Sequence, residues 1–585
     1  TYRYKHNLKP QLEAKLFAYT DSANTIDVKV KASYEKSRKS YEEKSASYGY
    51  QPDQFAYHSL KEALDAKPGD ALYDRLITRD SEYESTELQQ RGLNISYIWQ
   101  HFIGKKGLFM LGGYTNLSGT NEDTHTNHDV EYLREQRNEK LWQFYDRSEH
   151  NLNTQFGASF DYWLGKKVYF NVFDNVRLSR TRIARNFFSD TDELNVANGT
   201  PTTADPANTT RRLTHKWTNE LTVKSTITPV KALMIMPMFK WNYSREKVDY
   251  HYGPLDTTAV RTSNTYEPSI FLKWKMSRVR NMDIAFAYNT TVPDLVSTLG
   301  YRNTIDPLHI YMGNPLLRNS HSHTTTYNYH RMWLRKQIVL GFTASYNKDI
   351  NPEATLYSYN SATGVYTSKP MNVKGGDMWK FAFNYDQGIG FYFRLMNKFA
   401  LETAKSYGFL TIVNNNAADA QPELNKQKRL GINNDFEFSY ETEKLQLTLF
   451  DRLESNRYRY DDASYNTTPL FNSVGISANL HLAPFEVFVQ LSDDYCSGYA
   501  TSAMNGHKLK SMASVSWSFC KNKCMLSLFA DDIFNKDIWY ESEYSAFQRQ
   551  EYSTNYIHHY LNLSFRYRID AKAKNGKSTT ISSRR

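Results

Sequence analysis

The sequence predicts an all-β fold: a transmembrane, antiparallel up-and-down β-barrel of about 22 strands, with short periplasmic turns at one rim and long extracellular loops at the other. Three observations predict it. First, the hairpin Leu470 to Tyr499 alternates in polarity along both arms. Val474, Ile476, Ala478, Leu480 and Leu482 interleave with Ser473, Gly475, Ser477, Asn479 and His481; Ala483-Pro484 turns the chain; Phe485, Val487, Val489 and Leu491 interleave with Glu486, Phe488, Gln490 and Ser492. Such a period of two is a strand with one apolar and one polar face. Second, arms of this kind recur down the chain. Third, their connections switch between short and long.

In order, Pro10 to Thr20 and Ile26 to Glu35 share a short turn, and Lys36 to Gln90 is long and polar. Arg91 to Phe102 meets Gly107 to Ser118 through Gly-Lys-Lys, and a long segment runs to Ser148. Glu149 to Trp163 meets Lys167 to Thr181 at Leu-Gly-Lys, followed by the polar stretch Arg182 to Arg212. Leu213 to Thr228 turns at Pro229 into Lys231 to Lys247. Thr265 to Met276 meets Met282 to Thr291, His321 to Leu334 meets Gln337 to Lys348, and Asn372 to Tyr385 meets Ile389 to Glu402. Leu430 to Tyr440 meets Leu445 to Tyr458, the opening hairpin follows, Leu509 to Phe519 meets Met525 to Phe534, and Tyr556 to Ile569 is the last arm. That gives about 21 arms, and because single-chain barrels have even strand numbers, one more is expected, with Tyr2 to Lys5 as its end. Backbone donors left bare in lipid require the sheet to close on itself.

Composition agrees. Over 585 residues no linker or compositional step divides the chain, so residues 1–569 read as one barrel and 570–585 as a basic periplasmic tail. Aromatics are 15% of residues, led by 44 Tyr, which favours strands. The mean hydropathy of -0.67 is polar, as suits a barrel that shows lipid only every second residue. The longest apolar run, Ala232 to Phe239, is broken by Pro237 and falls far short of the roughly 20 residues of a spanning helix. Three cysteines exclude a disulfide scaffold and a structural zinc cluster.

The net charge of +10 is spread over the short turns, at Lys105, Lys106, Lys166, Lys231, Arg278, Arg280, Arg335, Lys336, Lys444, Lys521 and Lys523, and over the tail. It forms no single stripe and accompanies no groove-reading motif, so nucleic acid is not the partner. Attraction to phospholipid headgroups and protection of turns from edge pairing both explain it. Tyr97, Trp99, Tyr162, Trp163, Trp241, Tyr243, Trp274, Trp333, Trp379 and Trp517 sit near arm ends, where an interfacial aromatic belt belongs.

Little points to chemistry. His321 and His323 share a strand face at metal-site spacing, but no third ligand accompanies them. His125 and His128, and His558-His559, are weaker pairs. Asp190, Asp192 and Glu193 lack the glycine and spacing of a calcium loop, so they read as solvated acids, as do Asp461-Asp462. No metal site, cofactor or catalytic residue is assigned. Cys520 and Cys524 flank a three-residue turn that can bring their sulfurs within bonding distance, leaving a disulfide and two free thiols both open. Cys496 reads as a lone buried or free thiol. Neither a nucleophile elbow nor a phosphate-binding loop occurs, and the chain does not read as an enzyme.

Gly313-Asn314-Pro315-Leu316-Leu317, after Tyr301-Arg302 and Pro307, resembles the segment that precedes a descending strand in TonB-dependent receptors. Asp531-Asp532-Ile533-Phe534-Asn535 is similar to the strand end before their final loop, and Tyr560 to Tyr567 to their closing strand. The resemblance covers residues 1–569 and is closest to the outer-membrane protein beta-barrel family related to those receptors. It implies a 22-stranded barrel in the outer membrane of a Gram-negative bacterium, a plug domain within the bore, and energised import of a large ligand through TonB. Plug and TonB-box are not found in this sequence, and are expected upstream of Thr1. The functional expectation is uptake of an unknown extracellular ligand, a siderophore, glycan or peptide, bound by loops 36–90, 119–148, 182–212 and 292–320 and by the lumen. The alternative is a passive pore or a surface scaffold without energised transport.

Overall fold

The computed structural model describes residues 2–48, 60–192, 196–197, 200–306, 308–360, 365–409, 412–413, 424–461, 463, 466–499, 505–520, 523–534, 540–544, 549–553, 559–572 and 578–581. Its main sheet has 22 strands. In chain order they are β1 (Tyr2–Leu8), β2 (Gln11–Tyr19), β3 (Asn24–Tyr48), β4 (Leu76–Ile103), β5 (Gly107–Tyr132), β6 (Arg137–Leu164), β7 (Val168–Asp190), β8 (Thr210–Val230), β9 (Leu233–Tyr252), β10 (Leu255–Ser277) and β11 (Arg280–Thr291). There follow β12 (Ser320–Trp333), β13 (Ile338–Ile350), β14 (Asp377–Ile389), β15 (Phe393–Phe409), β16 (Leu424–Glu441), β17 (Leu445–Tyr460), β18 (Leu470–Leu482), β19 (Phe485–Ser497), β20 (Gly506–Phe519), β21 (Cys524–Asp531) and β22 (Tyr560–Tyr567). From β3 on, each strand pairs antiparallel with the next in sequence.

β1 departs from expectation. Tyr2 to Leu8 pairs with Glu42 to Lys36 of β3, while β2 pairs with Ser33 to Thr25 of the same strand. The two lie end to end, interrupted at Lys9-Pro10, because proline has no N–H to give the ladder. Tyr2 to Lys5 therefore lengthens the first arm and is not the end of another.

The register assigns faces. Leu449 opposes Ile476, which opposes Leu491, so the apolar positions of β17, β18 and β19 fall in one row on one side. That side is the exposed one: Val474 is 52% accessible and its neighbour Ser473 only 7%. On the other side, Asp161, Glu246 and Asp494 are buried. Lys240 stands there between Glu220 (3.2 Å) and Glu267 (3.4 Å). Apolar rows outside and polar groups within invert the water-soluble pattern, as a sheet wrapped in lipid around a polar bore requires. Following the register, nine of the ten aromatic residues named for the belt point to the lipid side; Trp163 points inward, in the row of Ser159 and Asp161.

At one rim every connection between described strands is short. Gly104, Gly165 and Gly390 bend three of these turns with left-handed φ of 58°, 70° and 65°. The basic turn residues, Lys521 aside, all lie at this rim; Lys521 is outside the described residues. The other rim corrects the sequence expectation. Residues 119–148 are not a loop: β5 and β6 run on as paired strands to a tight turn at Leu133 to Gln136. Likewise β9 and β10 pair out to Tyr252 and Leu255. Of 36–90, Lys36 to Tyr48 and Leu76 to Gln90 are strand, and of 182–212 only the middle leaves the sheet. Residues 292–319 are a true connection.

Candidate functional site

On β4 the lipid-facing row reads Leu93, Ile95, Tyr97, Trp99, and Leu93 to Ile103 is about the length a tilted spanning strand needs. Residues 76–92 thus stand clear of the lipid, as do the upper parts of β3, β5 and β6 paired with them. Their bore-facing residues form the wall of a vestibule above the barrel.

The wall carries a compact ionisable group. Asp80 and Glu82 are two apart on β4, hence on one face, and His128 of β5 is the register partner of Glu82. His128 Nδ1 lies 3.2 Å from Asp80 Oδ2, and one ligand atom from each of the three side chains falls within 4.8 Å of the others. Tyr41 of β3 places its hydroxyl 3.1 Å from Glu82 Oε1 and 3.2 Å from Glu84 Oε2. Burial pushes the Glu82 carboxyl up. Burial opposes the charged form of His128, but the hydrogen bond to Asp80 and the charges of Asp80, Glu82 and Asp306 outweigh it and raise the imidazole. Burial and the two carboxylates raise the Tyr41 hydroxyl. Two carboxylates and an imidazole are a donor set that can hold a divalent cation.

The segment 292–319 folds onto this wall. Leu295 and Val296 bury against Val248, Tyr250 and Tyr252 of β9. Tyr301 meets Tyr250, Tyr252 and Tyr311 with ring centroids 5.8, 5.7 and 5.9 Å apart. Burial pushes the Tyr250 and Tyr252 hydroxyls up to about 12. Tyr252 Oη donates to Asn208 Oδ1 at 2.8 Å, Gln143 Nε2 of β6 donates to the Ile305 carbonyl at 2.6 Å, and Asn314 Nδ2 donates to the Pro370 carbonyl at 2.8 Å. Thr304 N and Oγ1 also donate to Asn208 Oδ1, at 3.4 and 3.3 Å, so described residues of the connections 191–209, 292–319 and 351–376 are fastened to one another and to the strand extensions. The Gly313-Asn314 motif has its reason here. A Cβ on Gly313 would lie 1.8 Å from the Leu299 carbonyl, and Asn314 is buried with its backbone N donating to Ser297 O at 2.7 Å.

The other named residues do not assemble into a site. His321 and His323 fall on the lipid-facing side; His321 Nδ1 lies 3.0 Å from Thr290 Oγ1, and the rings pack on Tyr288 and Tyr346. Among the described residues no further ligating group joins them. His125 and His128 point to opposite faces, His125 toward Phe144 at 4.7 Å. Asp190 accepts from Thr203 N and Oγ1, both at 3.0 Å, and so clamps its own loop. Glu193, Asp462, His558 and Asn535 lie outside the described residues; Asp461 accepts from Lys426 N at 3.2 Å, and His559 Nδ1 is 2.8 Å from the Asp532 carbonyl. Cys520, at φ 53°, opens the turn after β20, and Cys524 begins β21 as the register partner of Phe519; both are free thiols, as is buried Cys496. Sequence reasoning missed Asp80, Glu82 and Tyr41, whose only signal was the alternation of acids along Asp80-Ser81-Glu82-Tyr83-Glu84.

The match to a protein-family model agrees with this architecture. None of the curated proteins matches the chain in sequence. Among solved structures it is similar to the siderophore receptor PiuA from Acinetobacter baumannii, with 9% identity, a TM-score of 0.45, and 96% of this chain and 79% of that one covered. It is also similar to the siderophore receptor PirA from Pseudomonas aeruginosa, with 10% identity, a TM-score of 0.35 and coverage of 83% and 76%. The alcaligin outer membrane receptor FauA from Bordetella pertussis gives 9%, 0.34, and 90% and 71%. The model of the outer membrane protein beta-barrel family matches residues 243–567. The chain therefore belongs to the outer membrane protein beta-barrel family, and its place is the outer membrane of a Gram-negative bacterium, short turns toward the periplasm and strand extensions toward the outside.

Proposed function

We propose that the barrel takes up a ligand captured in its outward vestibule, and that uptake is energised through TonB acting on a plug domain in the bore. The observation that carries this reading is the inward fold of 292–319, held by the hydrogen bonds of Gln143 and Asn314 and by the ring of Tyr252 against Tyr301. A passive pore is served by a clear mouth; a receptor is served by a mouth lined with fixed recognition groups. Tyrosine rings and paired acids on that lining suit a cargo recognised by stacking and hydrogen bonding, with siderophores, glycans and peptides as the classes to assay. The plug also answers a physical need, since this many strands enclose a bore too wide for its own side chains to fill.

The test is uptake of labelled candidates by cells carrying the full-length gene, with and without a functional TonB system, alongside planar-bilayer conductance of the purified protein. Accumulation that requires TonB together with a silent bilayer supports the proposal. Large constitutive conductance, or accumulation indifferent to TonB, replaces it with the pore.

A further inference from the structure

On the bore-facing side of the wall, Asp80, Glu82 and His128 carry more donor capacity than the protein around them uses. His128 is 6% exposed, and its one hydrogen bond among the described residues runs between Nδ1 and Asp80 Oδ2 at 3.2 Å, so Nε2 is left over. Asp80 Oδ1 is buried and accepts no hydrogen bond. Neither Asp80 nor Glu82 pairs with a lysine or arginine among the described residues. Arg79, the cation next to Asp80 in sequence, points to the opposite face and is engaged by Glu131 at 3.3 Å and by the Ala63 carbonyl at 2.9 Å. A buried carboxylate oxygen without a donor is costly, and a cation placed between the acids removes that cost. The Tyr41 hydroxyl, 3.1 Å from Glu82 Oε1, orients that carboxylate from behind, as ligating carboxylates are commonly held.

The spacing suits one ion. A donor atom from each of the three side chains lies within 4.8 Å of the other two. Donors bound at about 2.1 Å around a tetrahedral ion stand about 3.4 Å apart, so small side-chain rotations close the set. An imidazole nitrogen with two carboxylate oxygens fits zinc and its neighbours among the divalent transition ions; calcium, which takes oxygen ligands and more of them, is poorly served. The segment 292–319 reaches the same place. Gln143, which holds the Ile305 carbonyl at 2.6 Å, is the register partner of Thr126, two residues from His128 on the same face. Asp306 follows directly, close enough for its charge to act on the His128 ring, and its Oδ1 is fixed by the Leu308 N–H at 2.8 Å. We propose that Asp80, Glu82 and His128 hold a divalent ion of the zinc class on the vestibule wall, and that this ion ties the segment 292–319 to the wall through Asp306. The site requires nothing of the cargo or of TonB, so it and the uptake reading stand or fall separately.

The full-length protein, purified in mild detergent without a histidine tag and stripped with a chelator, is titrated near neutral pH with zinc chloride and, separately, with calcium chloride. Bound metal is counted by native mass spectrometry, affinity is read by isothermal titration calorimetry, and limited proteolysis inside 292–319 is followed with and without zinc. H128A, E82Q and D306N are compared with H125A, which removes a histidine from the opposite face of the same strand. Heat-modifiable gel migration verifies that each variant is folded. Expected is one zinc per native chain, held at least about a hundredfold less tightly by H128A and by E82Q, about tenfold less tightly by D306N, and equally by H125A, with calcium bound weakly. Zinc is expected to slow cleavage inside 292–319 in the native chain and not in D306N. No stoichiometric zinc, zinc held as tightly by H128A and E82Q as by the native chain, or calcium held as tightly as zinc overturns the proposal. Zinc that binds and leaves cleavage inside 292–319 unchanged overturns the tie through Asp306.

Discussion

The two halves of the sheet cross the same membrane with very different strands. β4 has 28 residues and β6 has 28, whereas β18 and β19 have 13 each. At about 3.3 Å per residue these are about 90 Å against about 43 Å. The shorter pair is close to the minimum for a tilted crossing; the longer pair crosses and then continues into water. Among the described residues the C-terminal half is accordingly barrel alone at β18 and β19, and the N-terminal half is barrel plus vestibule wall. The buried acids, His128 and the tyrosine cluster collect on the wall because there both faces meet water, and side chains are released from the demand to match lipid.

The largest effect that would break this comparison comes from a charge on the lipid side. I476R, in the middle of β18, is expected to destabilise the folded barrel by about 2–4 kcal/mol in a urea equilibrium into bilayers, while N121R on the β5 extension changes it by less than about 0.5 kcal/mol. Equal costs would mean that the extensions are also in lipid. Next comes the fastening of 292–319. G313A forces the new Cβ against the Leu299 carbonyl, and a cost of about 1–3 kcal/mol is expected to appear as faster proteolysis inside 292–319 with heat-modifiable migration unchanged. Unchanged proteolysis would mean that the segment is not held as described.

A smaller effect sharpens the account of the wall. His128 and Glu82 both hold their protons more tightly in the fold than at their ordinary values of 6.5 and 4.5. A raised folded pKa stabilises below the unfolded value and is lost as pH rises through the folded one, so both groups act in the same direction. Hydrogen-exchange protection of the β4–β5 extension should therefore fall as pH climbs from below 4.5 to above 6.5, after correction for intrinsic exchange, while β18–β19 stays level. D80N should flatten the His128 part of that fall. Smallest is the effect at Cys520 and Cys524, free thiols on either side of one turn. Both are expected to be alkylated in the unfolded protein without prior reduction, with no change in barrel stability on replacing them by serine; alkylation only after reduction would mean that the two are joined.

The legible part of the molecule is the part in lipid. Val474 to Leu482 and Phe485 to Leu491 declare their faces because one side must be apolar, and the turns between arms are short and basic. The extensions are hidden by the same physics. Asn121-Glu122-Asp123-Thr124 is polar at every position, so it carries no period of two and reads as loop, yet it is strand paired with Ser148 to Tyr145. Asp80, Glu82 and His128 were out of reach because they meet only through the register of β4 on β5. Gly313-Asn314 was visible as a motif, but its reason, a backbone approach too close for a Cβ, lies in the fold.

The central claim is that alternate residues of these strands meet lipid and bore, and that this contrast ends where the extensions begin. Single spin labels placed in turn along Ser473 to Leu482 and along Gly119 to Val130, in the reconstituted protein, measure it through collision with oxygen and with a water-soluble nickel chelate. The account predicts oxygen-rich signals at 474, 476, 478 and 480, low ones at 473, 475, 477 and 479, and no oxygen-rich positions along 119–130. Oxygen exposure without a period of two in the first segment, or an alternating oxygen-rich pattern in the second, would contradict it.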